Sequence, residues 1–208
     1  MPASMLRRLF AAAAFMSFMT VGQVRADMAE VVAAAYGEFS MAPPTPASVF
    51  ICHGYGCRYR TEVAFSNADR AKLAQLMAPG KASPEAERRA VAAAGAWFDR
   101  RIAPTAGTTN HIARSGYTLK DNAAQFDCID SSRNSTSLLL VLEQLKLLRH
   151  HRVDPPESRG YFVNIQLPHA TAVLTDKKSG IAWSIDSWTR AYGQPPEIMP
   201  VSVWVTLD

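Results

Sequence analysis

Hydrophobic and polar positions change their period several times along the chain, and each change marks an element. Asp27 to Tyr36 is a short Ala/Val-rich segment with helical character, and Met41-Ala42-Pro43-Pro44-Thr45-Pro46 is an extended linker that proline bars from helix. Ser48-Val49-Phe50-Ile51-Cys52 is an apolar strand, and Cys57-Arg58-Tyr59-Arg60-Thr61-Glu62-Val63 alternates with period two. The glycines of His53-Gly54-Tyr55-Gly56 lie between them. The pattern predicts a β-hairpin with Cys52 and Cys57 opposite one another. Ser66-Asn67 predicts a helix cap with the helix running to about Met77, where Pro79-Gly80 ends it. Ser83-Pro84-Glu85 opens a second helix, from Pro84 to about Ile102, with Val91, Ala94, Trp97, Phe98 and Ile102 toward the core. Residues 103–122 are Thr/Gly/Asn-rich and irregular, and so free to supply a loop beside a site.

From Cys128 onward the pattern is again helical. Ser131 to Ser137 is polar, whereas Leu138 to Leu142, Leu145, Leu147 and Leu148 are apolar nearly all round. Such a helix has a buried body and a wet first two turns that open on a cleft. The last third reads as strands: Tyr161 to Gln166, His169 to Thr175, Ile181 to Ser187 and Val201 to Thr206. Helices first and strands after give an α+β domain. With Asp176-Lys177-Lys178-Ser179 as a four-residue turn, Thr175 faces Gly180 and His169 faces Asp186; a five-residue turn shifts the pair by one place.

The N-terminus stands apart. Arg7 and Arg8 precede an apolar run from Leu9 to Val21, and Val24-Arg25-Ala26 has small residues at −3 and −1 for cleavage before Asp27. Residues 1–26 read as a secretory signal peptide and residues 27–208 as a single domain. An uncleaved anchor is the competing reading, but the run is short for a span of roughly 20 residues. After cleavage no stable membrane insertion is expected, and the location is periplasmic or secreted. Loss of Arg7, Arg8 and Arg25 leaves 19 basic against 18 acidic residues, and no basic block with interleaved aromatics remains. A nucleic-acid partner is therefore not expected.

Three cysteines in an exported chain suggest one pair and one free thiol. The hairpin and an oxidising compartment favour a Cys52–Cys57 disulfide. A metal site from Cys52, His53 and Cys57 lacks a second ligand pair at zinc spacing, and two reduced thiols are the third reading. Cys128 is then the free thiol. At a helix mouth it gains from the dipole and the unpaired amides, both of which favour thiolate, and the same amides can hold an oxyanion. The alternative is a small buried hydrophobe. An Asp beside a His at one end of two adjacent strands can fix the imidazole tautomer and support the imidazolium.

Cys-x-Asp at the mouth of a leucine-rich helix, His169-Ala170 leading an apolar strand, a short charged turn and Ile185-Asp186-Ser187-Trp188 resemble the core of bacterial transglutaminase-like cysteine proteinases, within the papain-like superfamily. The resemblance covers roughly Gln125 to Trp188. It implies a papain-like/transglutaminase-like core with a central buried helix packed on an antiparallel sheet. It also implies Cys128 as nucleophile, His169 as general base and then acid, and Asp186 as orienting carboxylate. An upstream side-chain amide for the oxyanion would be Gln125 or Asn122.

Asp130 reads as a cap, His53, His111, His150 and His151 as solvated or structural, and Trp183, Trp188 and Trp204 as core or cleft wall. The sequon Asn134-Ser135-Thr136 lies on the helix, which argues against its use. The expectation is an exported cysteine-dependent hydrolase or acyltransferase that cuts or transfers amide bonds of a peptide or protein through a thioester, with no metal and no cofactor. The alternative is an inactive transglutaminase-like scaffold.

Overall fold

The computed structural model describes residues 27–160 and 168–207. The chain is α+β, with five α-helices and two antiparallel sheets among the described residues. The strand expected at Tyr161–Gln166 and the proposed signal peptide lie outside them.

Helix α1 (Met28–Tyr36) is capped by Asp27, whose carboxylate accepts from Glu30 N. Strands β1 (Ser48–His53) and β2 (Tyr59–Ala64) form the hairpin. Its register differs from expectation. Cys52 faces Arg60 and His53 faces Tyr59, so the connection is Gly54–Arg58 and Cys57 sits in the loop rather than on the second strand. The disulfide nevertheless forms, with Cα atoms 4.4 Å apart. Residues 54 to 57 all have positive φ, from 59° to 78°, and this tight left-handed turn folds Cys57 back onto Cys52.

Helix α2 (Asn67–Met77) starts at a reciprocal cap between Ser66 and Asp69. Helix α3 (Pro84–Ala106) starts at Ser83 and runs one turn beyond the predicted end. It passes through Pro104 and stops at Gly107, where φ is 74°. Val91, Ala94, Phe98 and Ile102 are buried as expected, and Trp97 is half-buried.

Helix α4 (Cys128–Gln144) is the centre of the molecule. It packs against β1 on one side and the larger sheet on the other, and Leu139 to Leu142 are fully buried. The polar stretch before them is not wet. Ser131, Ser132, Asn134, Thr136 and Ser137 are buried too; Thr136 donates to Ser132 O within the helix, and other side chains of the stretch tie the helix to its neighbours. Ser137 meets Tyr36 Oη at 2.7 Å, Ser135 meets Ser187 at 2.9 Å, and the Asn134 amide bonds both Cys52 N and Cys52 O at 2.8 Å. Asn134 is thereby committed inside the fold and closed to glycosylation.

The larger sheet has the order β3 (His151–Arg159), β4 (His169–Asp176), β5 (Ala182–Asp186), β6 (Glu197–Pro200). Strand β3 is an edge strand whose pairing shifts between Asp154 and Glu157, around Pro155-Pro156, which is where prolines are tolerated in a sheet. The sequence places the last strand at Val201–Thr206, but residues Val201–Trp204 form the short helix α5. Pairing with β5 ends at Pro200, and Trp204, not the valines, is the buried member; Val203 and Val205 are exposed. No described helix is long and apolar enough to cross a membrane.

Candidate active site

The β4–β5 connection is a four-residue loop, Lys177–Gly180. Asp176 accepts from Lys178 N and Ser179 N and so belongs to the strand, capping the turn from its end. Thr175 therefore faces Ala182, two places away from the expected partner Gly180. Carried one step past the Ala172–Ile185 pair, this register sets Asp186 opposite Thr171. His169 is then the diagonal neighbour of Asp186 on the same face. The two still meet: His169 Nε2 lies 2.5 Å from Asp186 Oδ2. Both are buried.

Trp204 completes the carboxylate's environment by donating its indole N–H to the same Oδ2 at 3.0 Å. The imidazole is flanked by Trp188 and Trp204, with ring centroids at 4.8 and 5.4 Å. With Nε2 fixed by Asp186, Nδ1 is left buried and without a partner among the described residues.

Cys128 is the first residue of α4 and is half-buried. Its Sγ lies 3.9 Å from Pro168 O, and the Ala170 N–H points at the sulfur. The thiol thus rests on the backbone immediately before and after His169. Three chain segments converge here, from the helix mouth, the start of β4 and the end of β5. A preformed thiolate is not what this environment favours, however. Burial pushes the thiol up to about 11, with the carboxylates of Asp127 and Asp186 adding to the rise. Desolvation outweighs the helix terminus here, so a nucleophilic sulfur requires a base to take its proton.

Around the mouth of α4, Asp127 and Asp130 form a reciprocal cap. The same two carboxylates receive the disulfide loop: Gly56 N donates to Asp127 Oδ2 at 2.8 Å, Tyr55 N to Asp130 Oδ2 at 2.8 Å and Cys57 N to Asp130 Oδ1 at 2.6 Å. Asp130 is fully buried, and desolvation with the neighbouring Asp127 charge pushes its carboxyl up to about 7. Cys52, Cys57 and Asp130 present ligand atoms within 4.8 Å of one another, but the two sulfurs are bonded to each other and offer no thiolate.

Gln125 is buried above this mouth, and both ends of its amide are engaged by loop backbone. Oε1 accepts from Ile112 N at 3.0 Å, and Nε2 donates to Asn110 O at 3.1 Å. It braces residues 110–112. Asn122 is exposed and caps its own turn through Ala124 N. In the first turn of α4 the Asp130 amide is taken by the Asp127 cap, and the amides of Cys128 and Ile129 have no intrahelical acceptor.

The remaining histidines are structural, though better partnered than the sequence suggests. His53 bridges Ala123 O and Thr61 Oγ1 at 2.7 and 2.9 Å. His111 pairs with Asp99 at 3.0 Å and His151 with the buried Glu87 at 3.1 Å. An apolar cavity between α3, α4 and the end of β5 is lined by Phe98, Ile102, Leu138 and Ile185, with His111 on its wall. It approaches the site through Ser131 and Ser187, but Cys128, His169 and Asp186 do not line it.

Two contributors were not singled out in the sequence as site residues. Trp204 lies in an alternating apolar stretch that reads as a strand. The loop amides of residues 55–57 have no side-chain signature beyond the two glycines. No family model, curated protein or solved structure matches this chain.

Proposed function

We propose that the protein is an exported cysteine-dependent hydrolase or acyltransferase that acts on amide bonds of peptides or proteins through a thioester, built on a transglutaminase-like core. The observation that carries this reading is the buried His169–Asp186 pair, with Nδ1 unpartnered among the described residues, set beside a thiol that rests on the backbone flanking the histidine. In the first step Cys128 Sγ attacks the carbonyl carbon while its proton passes to His169 Nδ1, so the sulfur never stands as a free thiolate. Asp186 holds the opposite nitrogen and supports the imidazolium. The amides of Cys128 and Ile129, at the open end of α4, are the donors offered to the oxyanion. His169 then protonates the leaving amine, and water or a second amine, deprotonated by the same imidazole, releases the acyl group. The Cys52–Cys57 bridge and the leader-like N-terminus support export to an oxidising compartment.

A scaffold without chemistry is the second reading, and the raised thiol of Cys128 favours it. The experiment that separates the two is labelling of Cys128 by an electrophilic acyl-enzyme probe in wild type and in His169→Ala. A His169-dependent adduct supports the enzyme, and a thiol that reacts only after denaturation supports the scaffold.

A further inference from the structure

We infer that the Cys52–Cys57 disulfide is the device that sets Cys128 in its working position, so that the site becomes competent only when the chain folds under oxidising conditions. The inference rests on the reading of Cys128 as nucleophile.

The geometry points to it in three steps. Four consecutive residues, Gly54, Tyr55, Gly56 and Cys57, hold φ between 59° and 78°. Glycine accepts that region freely, but Tyr55 and Cys57 carry a Cβ and adopt it against their preference. Such a loop persists only where its surroundings over-determine it, and here the ring closed by residues 52 and 57 does so.

Second, the left-handed run makes successive amides converge into a concavity suited to anions. Its occupants are the chain's own carboxylates, Asp127 and Asp130, bound through the amides of Tyr55, Gly56 and Cys57 at 2.6–2.8 Å. Asp127 immediately precedes Cys128, and Asp130 follows it by two residues. Together with the Asn134 amide on both polar groups of Cys52, these bonds fix the first two turns of α4 to the bridge. An opened loop would relax out of the left-handed region and withdraw its amides. The two carboxylates that flank the nucleophile would then keep only their reciprocal cap and lose the loop donors. Asp130 is a positioning residue, acting on Cys128 through the helix mouth.

Third, both bridged sulfurs are fully buried. The bond must therefore form before the loop closes over it, and once formed it is shielded from exchange. The two thiols lose two protons and two electrons to a disulfide acceptor of the compartment, which leaves as a dithiol while the Cys52–Cys57 bond forms. The device acts once, at folding, and keeps the site idle in a reducing compartment.

The test compares iodoacetamide labelling of Cys128 in the exported protein, in Cys52→Ser/Cys57→Ser and in Asp130→Asn, which keeps the bridge but sets an amide N–H against the donors. Labelling about ten- to a hundredfold slower in both variants is expected, the scale on which small misplacements act. In the serine variant the half-maximal pH of labelling should move upward, because the carboxylates beside the thiol lose their loop amides, a shift that a merely less stable protein with an intact site would not show. Native wild type should keep its rate under a dithiol reductant without denaturant. Should the serine variant fail to fold, Asp130→Asn decides. Rates within twofold of wild type in a folded variant overturn the inference, as does an unchanged rate in native wild type whose bridge has been reduced. If wild-type labelling proceeds and depends on His169 while Asp130→Asn labels normally, only this inference fails. If wild-type Cys128 does not react at all, the acyl-transfer reading fails with it.

Discussion

Trp204 and His169 share one oxygen of Asp186, the indole N–H at 3.0 Å and the imidazole Nε2 at 2.5 Å. The indole thereby gives the carboxylate a second donor on the oxygen that holds the imidazole, and its ring packs beside the imidazole, with centroids 5.4 Å apart. Arg159 holds the helix that carries it, stacking on the Trp204 ring and donating to the carbonyls of Trp204 and Leu207.

Trp204→Phe removes that donor and keeps most of the packing. A hydrogen bond to a charged group is worth about 1.5–3 kcal/mol, and the loosened carboxylate orients His169 less well. Probe labelling of Cys128 should slow by about tenfold or more, with a smaller loss in thermal midpoint than Trp204→Ala gives. Labelling at the wild-type rate in Trp204→Phe would show that Asp186 needs no second donor.

The buried carboxylate of Glu87 is structural. It accepts from the amides of Arg149, His150 and His151 and from His151 Nδ1, at 2.8–3.1 Å. Burial acts to raise its carboxyl, but the bonds from the His151 ring and the three amides outweigh it and hold the group below its ordinary range. Glu87→Ala leaves all four donors unpaired at the start of β3. A loss of about 3–5 kcal/mol is expected by denaturant unfolding; a loss under about 1 kcal/mol would mean that water replaces the carboxylate.

Asp69 ties α2 to α3. It completes the Ser66 cap and pairs with Arg101 at 2.8 Å, and the guanidinium hydrogen bond leads the effects that lower its carboxyl to about 2. Its folded value lies below the unfolded one, so its contribution is present above about pH 4 and is lost as pH falls toward 2. Asp69→Asn should cost about 1–2 kcal/mol at neutral pH and flatten that acid limb. An unchanged acid limb would contradict the assignment.

Asp130 has the opposite sign. Its folded-state carboxyl lies near 7, above the value of about 4 for an unfolded aspartate. Between those values the native state holds a proton that the unfolded chain has released. Stability should therefore fall as pH rises from about 4 to 7 and level off above. Unfolding curves across that range, compared with Asp130→Asn, check it; the variant should lose this slope.

Which features were legible in the sequence follows from the range of the interactions that make them. The caps at Ser66 and Ser83 and the buried leucines of α4 are local and periodic, and they stand where the pattern puts them. The His169–Asp186 meeting survived a two-place register error, because that shift preserves the face of the sheet and leaves a diagonal contact within reach. The direction of the Cys128 thiol was not legible. The helix terminus is visible in sequence, but the burial and the nearby carboxylates that outweigh it are tertiary. Strand β3 was hidden by its two prolines, and α5 by valines that alternate like a strand but face solvent. The loop clamp was hidden most completely, since its donors are backbone amides aimed by a left-handed turn.

In the proposed mechanism Cys128, His169 and Asp186 act as one unit, and the most direct measurement of this is probe labelling of Cys128 in wild type and Asp186→Asn. The amide keeps the shape and can still hydrogen-bond, but it favours the wrong imidazole tautomer and leaves the imidazolium unsupported. In a serine-protease triad that change costs roughly 10⁴ in turnover. A loss of labelling by orders of magnitude with a thermal midpoint close to wild type is the predicted result. An Asp186→Asn protein that unfolds by several kcal/mol, or one that stays folded and labels at the wild-type rate, would contradict it and make the pair a buried structural hydrogen bond.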